Sequence, residues 1–154
     1  MIVLQKPTID DLRTICANAA PEDQHEWGVT HFGGWDAELV ATECSLYLDG
    51  AAHVFREADG TPYCASGFYA SSPGVARGWT IRTPAWKRHL RECVRVSRFV
   101  MNRLLQNPAV NRLEAWCPIW AERWPEALGL EREGVLRRYG SDGTDFVMWA
   151  KVRG

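Results

Sequence analysis

Apolar positions along this chain change period several times, and each change marks an element. Ile9, Leu12, Ile15, Cys16 and Ala19 recur at helical spacing, which predicts a helix over about 9–19. Thr8 stands before it as N-cap with Asp11 three residues on, a capping-box arrangement with Asp in place of Glu, and Pro21 ends it. The short apolar run at 2–6 reads as a first strand. The stretch 21–36 is polar and aromatic with Gly28, Gly33 and Gly34, so it reads as a loop with room for one helical turn near 22–27. Asp36 can cap a second helix running to Tyr47 and closed by Asp49-Gly50, although 45–48 would also serve as a strand.

From residue 51 the period falls towards two. Residues 51–56 read as a strand, Asp59-Gly60 as a hairpin turn and 63–69 as the return strand. A second turn at 71–74 leads to a third strand over 75–82, completing an antiparallel meander. Pro84 opens the longest helix, about 85–106, with Trp86, Leu90, Cys93, Val94, Ser97, Val100, Met101, Leu104 and Leu105 as its inward stripe. Asn107-Pro108 stops it. The run 113–117 is nearly all apolar, as in a strand buried inside a sheet. A short helix at 120–128 closes on Gly129, and strands at 130–138 and 145–152 flank Ser141-Asp142-Gly143. The predicted order is β-α-α-β-β-β-α-β-α-β-β in one domain over 1–154, without repeat or linker.

Composition changes this picture little. The 154 residues are 46% apolar and 24% charged with a net charge of −1, so nothing in the bulk points to nucleic acid or a membrane surface. Five cysteines, odd in number and never at C-x-x-C spacing, argue against a disulfide framework or a zinc site and suit a reducing compartment. The N-terminus lacks a basic region followed by a sustained apolar run. No apolar segment approaches the roughly 20 residues that span a bilayer, so a cytoplasmic protein is expected. Eight tryptophans imply either a core built on large rings or a ring-lined groove.

The ending carries a family likeness. Residues 126–139, Glu-Ala-Leu-Gly-Leu-Glu-Arg-Glu-Gly-Val-Leu-Arg-Arg-Tyr, followed by 142–150, resemble the "KLGF-x-x-EG-x-x-R" segment and final hairpin of the GNAT-type N-acetyltransferases. The N-terminal acetyltransferases of ribosomal proteins end similarly, and the middle section is similar to phage-encoded acetyltransferase-like virion proteins. The resemblance implies an α/β fold: a single GNAT-like domain with a central mixed, mostly antiparallel sheet of about six to seven strands. About four helices flank the sheet, which is splayed between the fourth and fifth strands. It implies acetyl-CoA as cosubstrate and no metal, with pantetheine in the splay. The pyrophosphate would sit on backbone N–H groups where the long helix begins, since unpaired amides and the helix dipole favour an anion. The matching segment supplies Trp79, Ile81, Arg82, Thr83, Trp86, Lys87, Arg88 and His89 as cofactor contacts. Pro84-Ala85-Trp86-Lys87 resembles the family's "P-E-Y-R", but Arg88, Leu90 and Glu92 stand where glycines are expected, so side-chain charge would have to replace close backbone approach.

Acetyl transfer to an amine needs a base for the ammonium proton and a donor for the developing oxyanion. The family's tyrosine, which protonates the leaving thiolate, is replaced by Pro125 with Trp124 beside it. No acidic residue falls at the usual position on the central strand, where Thr80 could orient a water. The other candidates are His31 in the loop bordering the acceptor, Glu43, and Glu114, whose place among apolar neighbours demands a partner such as an arginine of the long helix. Cys117 is either a packed thiol or an acyl-accepting nucleophile. Arg88, Arg91, Arg95 and Arg98 form a stripe that is either a solvated helix face or a contact for protein or nucleic acid. Two functions follow: an N-acetyltransferase acting on an amine of a protein or small molecule, as a monomer or homodimer, or a non-catalytic GNAT-fold virion or binding protein.

Overall fold

In the computed structural model, which describes residues 2–154, one six-stranded sheet organises the chain. The strands are β1 (Ala51–Arg56), β2 (Pro62–Ser72), β3 (Val75–Arg82), β4 (Arg112–Pro118), β5 (Glu131–Leu136) and β6 (Phe146–Val152), in the spatial order β1-β2-β3-β4-β6-β5. Every pairing is antiparallel except β3 with β4, which is parallel. The helices are α1 (Ile9–Ala17), α2 (Pro21–Gly28), α3 (Ala37–Ser45), α4 (Leu90–Gln106) and α5 (Arg123–Leu128). The sheet is therefore mixed and mostly antiparallel, as expected.

Both faces of the sheet are covered. Leu12, Ile15 and Cys16 of α1 and Val40, Ala41 and Cys44 of α3 pack with Val54, Ala65, Trp79 and Ile81 of the sheet. Val100 and Met101 of α4 and Leu128 of α5 pack with Phe68, Leu113, Cys117, Val147 and Trp149. The α1 capping box forms as predicted: the Asp11 amide donates to Thr8 Oγ1 at 3.1 Å, and the Thr8 amide donates to Asp11 Oδ2 at 2.9 Å. Asp11 also receives both Arg56 nitrogens at 2.8 Å, which ties α1 to β1.

Three expectations need correction. Residues 2–6 are no strand; the Val54 amide donates to the Gln5 carbonyl at 2.8 Å, a single main-chain bond that does not build a ladder. Among the described residues the sheet therefore has six strands, within the expected six to seven, and the expected parting between the strands at 75–82 and 113–117 is present, between β3 and β4. Residues 21–28 form a helix, because Pro21 at its start has a fixed helical φ and Glu22 and Asp23 complement the dipole. That makes five helices. The long helix does not begin at 85: residues Pro84–His89 form a 3₁₀ turn before α4. Tertiary anchors tighten this turn. The Trp86 ring lies under the Arg82 guanidinium at 4.3 Å, and the His89 ring stacks on Tyr63.

Candidate functional site

β3 and β4 run together for only three residue pairs, Val75–Arg112, Ala76–Leu113 and Arg77–Glu114, and then separate. A cavity of about 300 Å³ occupies the gap and reaches both faces of the sheet. Its main-chain lining follows from β3 register. The Thr83 amide donates to the Tyr63 carbonyl at 2.8 Å, so Thr83, Ile81, Trp79 and Arg77 direct their peptide groups towards β2. The alternate residues Gly78, Thr80 and Arg82 direct theirs into the gap. There the Arg82 amide donates to Asp23 Oδ2 at 2.8 Å, its carbonyl accepts from Ala20, and the Thr80 carbonyl accepts from Trp27 Nε1 at 3.1 Å. A Cβ at position 78 would stand 3.1 Å from the Phe68 ring, so glycine keeps this stretch of backbone uncluttered.

On the α2–α3 side the walls are aromatic: Trp27, Tyr47, Tyr69, Trp79, Trp116 and Tyr139. Tyr47 and Tyr69 stack with ring centres 4.2 Å apart, and Arg77 lies over Trp116 at 4.0 Å. The expected ring-lined groove is present alongside a large-ring core. α2 carries Glu26 to the cavity, and the β5–β6 loop braces this helix: Asp142 bonds His25 Nε2 at 2.8 Å, and the Ser141 amide donates to the Val29 carbonyl at 2.8 Å. Burial pushes the Glu26 carboxyl up to about 7, with Asp23 adding to the rise and Arg82 opposing it. Arg82 Nη2 stands 4.0 Å from Glu26 but is committed to Asp23 Oδ1 at 2.7 Å. Asp23 is fully buried, and its charge holds Arg82 protonated despite burial.

The other acid–base candidates are tied down. His31 lines the cavity, but Nδ1 faces the Trp27 carbonyl and Nε2 faces Glu43. Glu43 also accepts from the Tyr47 hydroxyl at 2.7 Å. Thr80 Oγ1 lies 3.1 Å from Ser66 Oγ. Glu114 stands outside the cavity lining. Its partners are Arg77 of β3 at 3.0 Å and Arg112 of its own strand at 2.9 Å, not an arginine of the long helix. Burial would raise its pKa, but the two arginines hold it below the ordinary carboxylate value. Burial pushes the Cys117 thiol up to about 12, helped by the negative charge of Glu26, so it is a neutral thiol rather than a thiolate. All five cysteines are free and buried.

The residues of the basic segment separate. Trp79, Thr80 and Arg82 line the cavity, whereas Ile81 packs into the α1–α3 core and Thr83 Oγ1 donates to the Tyr63 carbonyl at 3.1 Å. Trp86 meets Trp124 of α5 edge-on at 5.6 Å. Lys87 pairs with Glu22 at 2.8 Å, and Glu57 takes both Arg88 at 2.7 Å and His89 at 2.9 Å. Along α4, Arg91 and Arg95 are exposed, and Arg98 Nε donates to the Ala127 carbonyl at 2.9 Å. Among the described residues no group of three His, Cys, Asp or Glu is placed to hold a metal, and no helix is long and apolar enough to cross a membrane.

Glu26 and His53 are cavity residues that sequence reasoning missed. Pro21-Glu22-Asp23 is a helix start that would have put Glu26 on an ordered element. His53, alone among Ala51, Ala52, Val54 and Phe55, was a buried polar residue awaiting an explanation.

No family model matches the sequence, and no curated protein does. Solved structures do match in fold. A GNAT-family acetyltransferase from Bacillus anthracis aligns over 97% of this chain and 93% of its own with a TM-score of 0.71 at 12% identity. A GNAT-superfamily phosphinothricin acetyltransferase from Sinorhizobium meliloti, in complex with AcCoA, aligns over 99% and 88% with a TM-score of 0.72 at 12% identity. A ribosomal-protein-alanine N-acetyltransferase from Brucella melitensis aligns over 98% and 99% with a TM-score of 0.66 at 13% identity. At such identities the likeness is one of architecture, and the architecture is the GNAT fold.

Proposed function

From a chain with the GNAT fold and a cavity through its parted strands, we propose acetyl transfer from acetyl-CoA to an amine of a protein or small molecule. The parting itself carries the proposal. Beyond Arg77 the edge of β3 turns the peptide groups of Gly78 and Thr80 into a space that opens to both sheet faces. An extended pantetheine arm pairs with such an edge as a missing strand would. The amine enters from the aromatic side and the thioester from the α4–α5 side, so the two reactants meet in the gap.

Glu26 is the residue best suited to take the ammonium proton. It lines the cavity, its carboxylate makes no hydrogen bond among the described residues, and that carboxyl titrates near neutrality. His31 acts as a clip instead, holding Glu43 and, through it, Tyr47 in the wall. The Thr80 amide, directed into the gap, is the donor for the carbonyl oxygen as it gains charge. Glu114 positions Arg77 against Trp116 and has no proton role. Arg82 keeps the end of β3 attached to α2 and leaves Glu26 without a closer cation. Neither Trp124 nor Pro125 donates a proton to the departing thiolate, so solvent must do so. Lys87, Arg88 and His89 reach phosphate only by exchanging Glu22 and Glu57 for it. The five reduced, buried cysteines fit a cytoplasmic setting.

Calorimetric titration with acetyl-CoA tests the proposal. Saturable binding is expected, and its absence at millimolar ligand would leave a GNAT fold without this chemistry.

A further inference from the structure

On the α4 face of the sheet, one register level carries a row of polar side chains. Thr80 of β3 stands opposite Ser66 of β2, and Ser66 stands opposite His53 of β1. All three line the cavity, as does Ser97 of α4. The row runs sideways from the parted strands into the protein, under the long helix. Strands lie about 4.8 Å apart, so two steps carry it about 10 Å from the edge of β3.

The near end of the row is satisfied. Ser66 Oγ donates to the Trp79 carbonyl at 3.1 Å and shares a bond with Thr80 Oγ1. The far end is not. His53 is 2% exposed and Ser97 3%, yet among the described residues neither imidazole nitrogen nor the Ser97 hydroxyl has a partner. Phe55 offers His53 a ring edge and no hydrogen bond. A folded protein seldom leaves three buried polar atoms unpaired, since an apolar side chain of similar shape would avoid the cost.

We infer that this row is an acyl-chain subsite, built for a donor whose acyl group is longer than acetyl and ends in an uncharged hydrogen-bonding group such as a hydroxyl. The inference rests on the acyl-transfer reading and specifies its donor. Burial keeps the imidazole neutral, with a pKa of about 4, so His53 offers one N–H and one lone pair. A hydroxyl matches both. A carboxylate would lack a free cation there, because Arg82 is already paired with Asp23. An extended chain advances about 1.3 Å per bond, so about six carbons ending in a hydroxyl cover the roughly 10 Å to His53, the last ~2.8 Å being the hydrogen bond itself.

Calorimetry with acetyl-CoA, hexanoyl-CoA and 6-hydroxyhexanoyl-CoA, on the whole chain and its variants, decides the matter. The hydroxylated donor should bind about tenfold or more tightly than hexanoyl-CoA, because only it pairs the stranded atoms. His53→Leu should erase that preference and leave acetyl-CoA affinity within about twofold. Ser97→Ala, which deletes a single oxygen atom and keeps the helix-forming backbone, should weaken the preference and serves if the first variant does not fold. Equal affinity for the two six-carbon donors, or a preference that survives in His53→Leu, overturns the subsite while acetyl-CoA still binds. Failure of all three donors to bind overturns the acyl-transfer reading itself.

Discussion

Replacing His53 by Leu should stabilise the protein, and increasingly so as the solution is acidified. His53 is buried under α4 without a partner, and burial alone lowers its pKa from 6.5 to about 4. Below pH 6.5 the unfolded chain binds a proton that the folded protein refuses. Stability present above pH 6.5 is therefore lost as pH falls, and the loss is complete near pH 4. At about 1.4 kcal/mol per pKa unit, the fall is worth about 3 kcal/mol, a large share of the roughly 5–15 kcal/mol that holds a domain together. At neutral pH the substitution removes two unpaired buried nitrogens and should gain about 1 kcal/mol. The assay is urea unfolding followed by tryptophan fluorescence at half-unit steps from pH 4.5 to 7.5, for both proteins. Glu26 and Asp23 also titrate abnormally, but they are present in both chains and cancel in the difference. The difference should grow steadily between pH 6.5 and 4.5. A flat difference curve would show that the ring is solvated or paired, and would refute the reasoning.

Three further outcomes test the rest of the structure. With an amine acceptor, kcat/KM should rise with pH through about 7 as Glu26 loses its proton, and Glu26→Gln should remove that limb and slow turnover by roughly 10²–10⁴-fold. An unchanged pH profile in the variant would assign the base elsewhere. Asp23→Ala strands the buried Arg82 guanidinium and should cost about 3–5 kcal/mol in denaturant unfolding, whereas a loss below about 1 kcal/mol would mean that water reaches Arg82. Gly67→Ala places a Cβ 2.5 Å from the Ala51 carbonyl oxygen and 2.8 Å from Ala52 Cα, so β1 must shift from β2 at a cost of about 1–3 kcal/mol, read as a lower melting temperature. A neutral Gly67→Ala would mean that the two strands are looser than their register implies.

Which features were legible depended on the range of the interactions behind them. The Thr8–Asp11 cap and the Asp59-Gly60 turn rest on bonds between residues a few positions apart, and the final hairpin on pairs 10 to 19 apart; all three stand as the local pattern predicted. The apolar stripe was enough to announce α4, although Leu90, expected to face inward, is 43% exposed at the helix start and Trp86 lies in the turn before it. Even so, whether its first turn would wind as α or 3₁₀ depended on Trp86 and His89 reaching Arg82 and Tyr63. A strand at 2–6 was plausible from its own residues and failed because, among the described residues, only one main-chain bond to β1 forms.

The site divided along the same line. Thr80, Trp79, Arg82 and His31 were picked out from the sequence, and all four line the cavity. Their chemistry was beyond reach there, because Lys87 meets Glu22 across 65 residues and His31 meets Glu43 across 12. The six strands and the long helix were set by the alternation of apolar and polar residues, a property each segment carries by itself. Which carboxylate stays free, which arginine is spent on a partner and which histidine is kept neutral were decided only when distant segments met. Desolvation and charge pairing act through space, and the chain's local pattern holds no record of that distance.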